Sequence, residues 1–277
     1  MLDYQVSWDP VQRAVVIEKD KQKMEDAKKS IVSLFEHHIE AMNNHIVEQM
    51  LSHIAEESYL HRAQGQYYGD LFERTDLHIE LQEIEIMQVY NDEATVYTKE
   101  AFSNENDAFY LDHEVEYVYS LLDLPDEGWQ IVDVQQISID YSDNGVLLNH
   151  QPGAVGSAVI QVWKQNEKAL NDENLKDYLE TLYKNTYFYD AMEYNKTFDF
   201  KYYNAHQQSE EVRFIGQEGD YAFLYIISKT TLGSIFPSYR TEGIYTFKKA
   251  DGDWKLYDIA PLSTEVITPI ESSLGGE

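Results

Sequence analysis

The feature that most restricts the fold of this chain is that it contains the same pattern twice. Residues 31–51, IVSLFEHHIEAMNNHIVEQML, lie over residues 159–179, VIQVWKQNEKALNDENLKDYL, without a gap and 128 positions apart. Phe35 meets Trp163, Ala41 meets Ala169, Met42 meets Leu170 and Leu51 meets Leu179. The same offset superposes the ATVY ending at Tyr97 on the AFLY ending at Tyr225. Farther on, YSLLDLPDEGWQIVDV from Tyr119 matches YTFKKADGDWKLYDI from Tyr245, with one residue fewer in the turn. Identities are few, but their common order and nearly constant spacing make two copies of one unit. The seam falls between Tyr141 and Gly156, where YSDNGVLLNHQPGAVG carries the Gly, Pro and Asn of a connection.

Within each copy the apolar period changes from helical to strand-like. Met24, Ala27, Ile31, Leu34, Phe35, Ile39 and Met42 recur at three and four, which draws one stripe along a helix. Ile46, Met50, Leu51 and Ile54 predict a second short helix; Tyr67, Tyr68, Leu71 and Phe72 predict a third. In the second copy Asn171 or Asp172 serves as the cap before a helix striped by Leu175, Leu179 and Leu182, and residues 183–203 are aromatic and ambiguous. Strand-like runs follow at 77–90, 94–102, 110–122 and 129–141, and again at 210–215, 221–229, 239–248 and 254–259. The alternation of Leu77, Ile79 and Leu81 restarts out of phase at Ile84 and Ile86, as a bulge requires. Helices first and an antiparallel meander after them make each copy α+β, with helices packed on one sheet face. Strand 221–227 is apolar on both faces and therefore needs cover on both sides.

Two or three helices followed by a bent meander whose last hairpin reads EGWQIVDV at Glu127–Val134 and DGDWKLYDI at Asp251–Ile259 resemble the nuclear transport factor 2-like superfamily. That superfamily has a cone-shaped α+β fold and includes ketosteroid-isomerase-like and polyketide-cyclase-like members. The resemblance covers residues 22–141 and 156–262 and implies two tandem cone-shaped units, each with N-terminal helices on a curved, mostly antiparallel sheet. The expected organisation is an N-terminal arm (1–21), a strongly acidic first domain (22–143), a second domain (156–265) and a tail (266–277). Paired sheets would form an intramolecular pseudo-dimer, imitating the homodimers common in the family; a homodimer of the chain is the other arrangement kept. One fold with many functions leaves the site to decide the chemistry. The usual site is a pocket between helices and concave sheet, where a carboxylate or His acts as base and a Tyr or protonated acid steadies an enolate.

Charge narrows the partners. The chain holds 50 acidic and 21 basic residues, a formal net charge of −29, so nucleic acid and anionic membranes are repelled and neither is an expected partner. Residues 1–150 carry 9 basic and 31 acidic side chains, net −22, and eight of the nine His. No run approaches the roughly 18 apolar residues of a spanning helix, and the start lacks the order of a signal peptide, so the chain as given is expected to be soluble, with the cytoplasm favoured. With no Cys, disulfides, thiolate metal sites and thiol nucleophiles are excluded, and the compartment is not otherwise fixed.

Candidate site residues in the first copy are Tyr59, His61, Tyr67, His113 and Tyr117, where a His base and a Tyr donor would serve if they faced one cavity. In the second copy they are Tyr187 and Asp190, in a segment with eight aromatics among seventeen residues that reads either as a stacking surface or as cover for the cone. No carboxylate stands alone in an apolar stretch as a tuned base would, and the inward helix positions hold bulky Phe35 and Trp163. His53 and Glu57 share a helical spacing, but HExxH, an EF-hand loop and a phosphate-binding Gly loop are missing, so no metal or cofactor is expected. These features predict a non-catalytic binding or assembly module that holds a protein, or a small apolar or aromatic ligand, through its pockets or acidic face. The alternative is a lyase or isomerase of the ketosteroid-isomerase-like kind.

Overall fold

The stripe that begins at Met24 winds into helix α1 (Lys21–Asn43), followed by α2 (Val47–Leu51) and α3 (Tyr59–Arg74). A meander of β3 (Leu77–Tyr90), β4 (Glu93–Asn104), β5 (His113–Leu124) and β6 (Gly128–Tyr141) completes the first unit, in the sheet order β3-β4-β5-β6. Ahead of α1 stand β1 (Tyr4–Asp9) and β2 (Ala14–Lys19), an antiparallel pair with a sheet to itself. The second unit runs α4 (Gly153–Asn171), α5 (Leu175–Glu180), α6 (Tyr187–Tyr202), β7 (Ala205–Glu218), β8 (Tyr221–Leu232), β9 (Tyr239–Ala250) and β10 (Asp253–Val266). Its sheet order is β10-β9-β8-β7. This computed structural model describes residues 4–9, 14–19, 21–142, 152–232 and 237–267, and the chain divides between Ser142 and Asp143. The α+β class, two four-stranded antiparallel sheets each preceded by helices, is as the sequence pattern requires. Most of the seam between the copies lies outside the described residues.

The two units repeat each other's stabilising contacts. A chain that leaves α1 through His45 at φ 55°, or α4 through Glu173 at φ 53°, enters the left-handed region that ends helices. The last residue of each helix then clamps an edge strand. Asn43 donates to the Ile79 carbonyl (2.9 Å) and accepts from its N–H (2.7 Å), and Asn171 does the same to Gln207 (2.8 and 2.7 Å). The opposite edge is covered too. In the first unit Ala55 N–H donates to the Ile131 carbonyl and Ile131 N–H to that of His53; in the second, Tyr183 donates to Leu256 and Leu256 to Thr181. Edge groups that would otherwise be open to water or to another chain are thereby paired. Ser58 and Thr186, also 128 apart, cap α3 and α6 by accepting from the N–H of His61 and Tyr189.

The bulge expected from the phase change of β3 is present, as a register shift between Leu81 and Glu83; a second follows between Ile86 and Gln88. Both recur in β7, between Ser209 and Glu211 and between Phe214 and Gly216. Such irregularities bend and twist the strand that carries them. Strand β7 begins at Ala205, five residues before the run read from sequence, because the polar residues 206–211 hide its alternation. The ambiguous aromatic stretch forms helix α6, in which Tyr194 is 78% exposed. On β8 every residue from Ala222 to Ser228 is buried, so both faces are covered.

Candidate functional site

The interior of the first unit is lined by the inward face of β4, where Ala94, Val96, Thr98, Glu100 and Phe102 alternate with outward residues. Glu100 therefore stands as a carboxyl on an apolar face, 2% exposed. Thr98 Oγ1 donates to its Oε1 at 2.7 Å and the Tyr119 hydroxyl to the same oxygen at 3.1 Å. Burial pushes the carboxyl pKa up, and the two hydroxyl donors oppose the rise without cancelling it. Tyr119 is itself wedged by Phe35 of α1, rings edge to face at 5.0 Å, and Phe35 is wholly buried.

Above this pair lies a group of phenols. Tyr117 is two residues from Tyr119 on the same face of β5, with ring centres 5.6 Å apart. Burial raises the pKa of Tyr68, Tyr110 and Tyr117; the Glu100 carboxylate adds to the rise of Tyr117 and Tyr68, the Tyr67 phenol to all three, and the Tyr141 phenol to Tyr110 and Tyr117. All three therefore remain neutral hydrogen-bonding groups at physiological pH. His113 stacks on Phe102 at 4.8 Å and 7°, with Tyr110 at 5.8 Å and Tyr141 at 5.3 Å. Its Nδ1 pairs with the Leu111 carbonyl at 2.8 Å, and burial lowers its pKa.

Of the residues singled out in the first copy, Tyr67, His113 and Tyr117 thus come together around Tyr110 and Tyr141. Tyr59 and His61 do not join them. They occupy the first turn of α3, about two helical turns from Tyr67, where Tyr59 is 57% exposed. Tyr187, half-buried, and Asp190, exposed, stand in the first turn of α6 in the other unit. Glu100 corrects the expectation that no carboxylate stands alone in an apolar stretch. The signal is present in ATVYTKEAF, where Glu100 is in phase with Val96 and Phe102, but the adjacent Lys99 masks it. Lys99 points outward instead, to Glu114 at 2.8 Å.

The second unit keeps the framework and drops the acid. Ser228 occupies the place of Glu100, and Tyr245, in the place of Tyr119, bonds to it and has its phenol pushed up to about 12 by burial. Trp163 replaces Phe35, edge to face with Tyr245 at 4.7 Å; its Nε1 donates to Ser209 Oγ at 2.8 Å, and that hydroxyl donates to Glu167 at 2.7 Å. Gly243 stands where Tyr117 does, and its hypothetical Cβ would lie 3.0 Å from the Ala260 carbonyl oxygen. Among the described residues no group of three or more His, Asp or Glu is placed to hold a metal, and no helix is long and apolar enough to cross a membrane.

Residues 33–142 and 161–267 match the family described as "Anti-sigma-I factor RsgI9, C-terminal domain". No curated protein matches the chain. Among solved structures, a provisionally assigned aromatic ring hydroxylase from Novosphingobium aromaticivorans is similar at 12% identity and TM-score 0.37, over 43% of this chain and 94% of that one. An Ntf2-like protein involved in plasmid conjugation is similar at 6% identity and TM-score 0.31, over 85% and 97%. Bd1075 of Bdellovibrio bacteriovorus is similar at 9% and 0.36, over 68% and 79%. At such identities and overlaps, none of these likenesses extends a chemistry or a partner to this chain.

Proposed function

Because the chain belongs to the family of anti-sigma-I factor RsgI9 C-terminal domains, we propose that it is a non-catalytic binding module of a regulatory protein. In this reading it is an intramolecular pseudo-dimer of two nuclear transport factor 2-like units that holds a protein partner or a small aromatic ligand. The observation that carries the reading is the filling of both interiors. Phe35 against Tyr119 and Trp163 against Tyr245 occupy the space where a substrate would sit, and all four are buried. Catalysis needs a reacting group within hydrogen-bond reach of a substrate atom. The phenols of Tyr67, Tyr110, Tyr117 and Tyr141 remain as a recognition surface above the first interior, and the net −22 of residues 1–150 favours a partner with a basic face.

Native mass spectrometry of the full, gently purified chain tests this. A monomer carrying a protein or aromatic ligand, lost when Tyr67 and Tyr117 are changed to Ala or when exposed Glu83 and Glu85 are changed to Lys, is the expected result. A second reading draws on Glu100, whose raised pKa among neutral phenols suits proton transfer on a small carbonyl compound. Turnover of such a compound that Glu100→Gln abolishes would replace the binding reading with that one.

A further inference from the structure

A second buried polar pair lies one turn beyond Phe35 on α1, outside the phenol cluster. His38 is 3% exposed; it pairs with the Met50 carbonyl through one ring nitrogen, while its buried Nδ1 has no partner among the described residues. The ring of His53 stands 5.7 Å away at 74°, and its Nδ1 is likewise buried and unpaired. His53 also reaches a groove of about 520 Å³ whose charged and titratable lining is Lys29, His37, His53 and Glu127. Water and protons therefore have access to the pair from one side.

The second unit supplies an internal comparison. Counting 128 onward, His38 becomes Asn166 and His53 becomes Thr181, and Asn166 Nδ2 donates to Thr181 Oγ1 at 2.7 Å. The same joint is closed there by a neutral hydrogen bond and here by two imidazoles that leave two nitrogens unsatisfied. In each unit this joint also holds the sheet edge, since the carbonyls of His53 and Thr181 accept from the N–H groups of Ile131 and Leu256.

We infer that His38 and His53 make the first unit an acid-sensitive latch, which releases the segment 53–55 from β6 when the imidazoles take up protons, while the second unit stays closed. Around the pair, His53 faces His38 from the α2–α3 connection, His37 faces His53 from α1, and the carboxylate nearest the groove is Glu127 of the β5–β6 turn. Burial and the neighbouring imidazole lower the His38 pKa to about 3, and burial with His37 lowers that of His53. The sign follows. Above its unfolded pKa of about 6.5 a buried neutral base loses no stability by excluding protons; below that, the open form binds protons that the closed form refuses, and closure weakens until the folded pKa is reached. One excluded proton shifts the opening equilibrium roughly 30-fold between pH 7.5 and pH 5.0.

Hydrogen exchange of the full chain at the two pH values, corrected for intrinsic rates, reads this directly. Protection of the Ala55 and Ile131 amides should fall tenfold or more, while that of Tyr183 and Leu256, their counterparts, holds. The variant His38→Asn with His53→Thr, which copies the second unit, should remove the fall. If that variant has lost its fold at pH 7.5, the single change His53→Thr at the groove carries the test and should lessen the fall by the share that His53 contributes. Equal behaviour of the two pairs of amides, or an undiminished fall in the variant, overturns the latch.

Discussion

Replacing Glu100 by Gln isolates what burial does to one carboxyl. Gln keeps an oxygen to accept from Thr98 and Tyr119, at 2.7 and 3.1 Å in the native chain, and removes the charge while placing an amide NH2 where Oε2 stands. Among the described residues no cation acts on Glu100; its neighbours in the interior are hydroxyls and phenols, and desolvation dominates its raised pKa. The folded form therefore holds its proton to a higher pH than the unfolded chain does. Stability from this group is fully present below the unfolded pKa near 4.5, is lost as the pH rises to the folded pKa, and is constant above it. Each pK unit of elevation costs about 1.4 kcal/mol at neutral pH, a large share of a domain's margin of roughly 5–15 kcal/mol. Glu100→Gln should consequently gain on the native chain as the pH is raised, by that amount per unit until the curves run parallel. Exchange of the β4 and β5 amides across pH 4 to 8 gives the stability of this unit separately from the other. A difference between variant and native that stays flat across that range would show a carboxyl ionising as it does in water, and the sealed interior would be wrong.

Five further substitutions probe the packing and the edge clamps. Phe35→Ala and Trp163→Ala should each cost about 3–5 kcal/mol, confined to their own unit in exchange or urea experiments; a loss below about 1 kcal/mol would mean the cones are not filled by these rings. Asn43→Ala and Asn171→Ala each leave two edge-strand backbone groups unpaired, so matched losses of about 1–3 kcal/mol are expected, and a silent result at either would remove the clamp from the account. At Gly156 an added Cβ would lie 2.7 Å from Pro152 Cβ and 2.8 Å from the Phe214 ring. Gly156→Ala should therefore lower the melting temperature through about 1–3 kcal/mol of overpacking, and an unchanged melting curve would refute it.

The filled interiors bear on how the two copies have come to differ. Both retain the wedge of an aromatic from the long helix against a tyrosine of the third sheet strand, and both retain the Asn clamp. They differ at polar places: Glu100 against Ser228, His38 against Asn166, His53 against Thr181, Tyr117 against Gly243. At these matched positions the first unit carries a buried carboxyl, two imidazoles and a phenol, and the second carries only neutral residues, with Asn166 and Thr181 joined by a hydrogen bond. A binding module with one responsive and one inert half would show this distribution.

The sequence by itself determined the repeat, the α+β order, the inward stripe of α1 and the bulge in β3, because each is written in apolar periods spanning a few neighbouring residues. The aromatic run at 183–203 defeated that reading, since aromatic and charged residues alternate through it without one clear period, and contact with α5 and β10 accompanies its folding as the helix α6. Only the tertiary structure brought Tyr67, His113 and Tyr117 together with Tyr110 and Tyr141 and left Tyr59 and His61 apart, although all lie in the same unit. It also decided that Glu100 meets Tyr119, 19 residues on, and that His38 meets His53, 15 residues on. Such pairs depend on strand register and helix crossing, and a residue's distance along the chain carries no record of either. Burial then gives the pairs their chemistry, because a carboxyl or an imidazole is ordinary in water and changes its proton affinity only when neighbouring elements exclude that water.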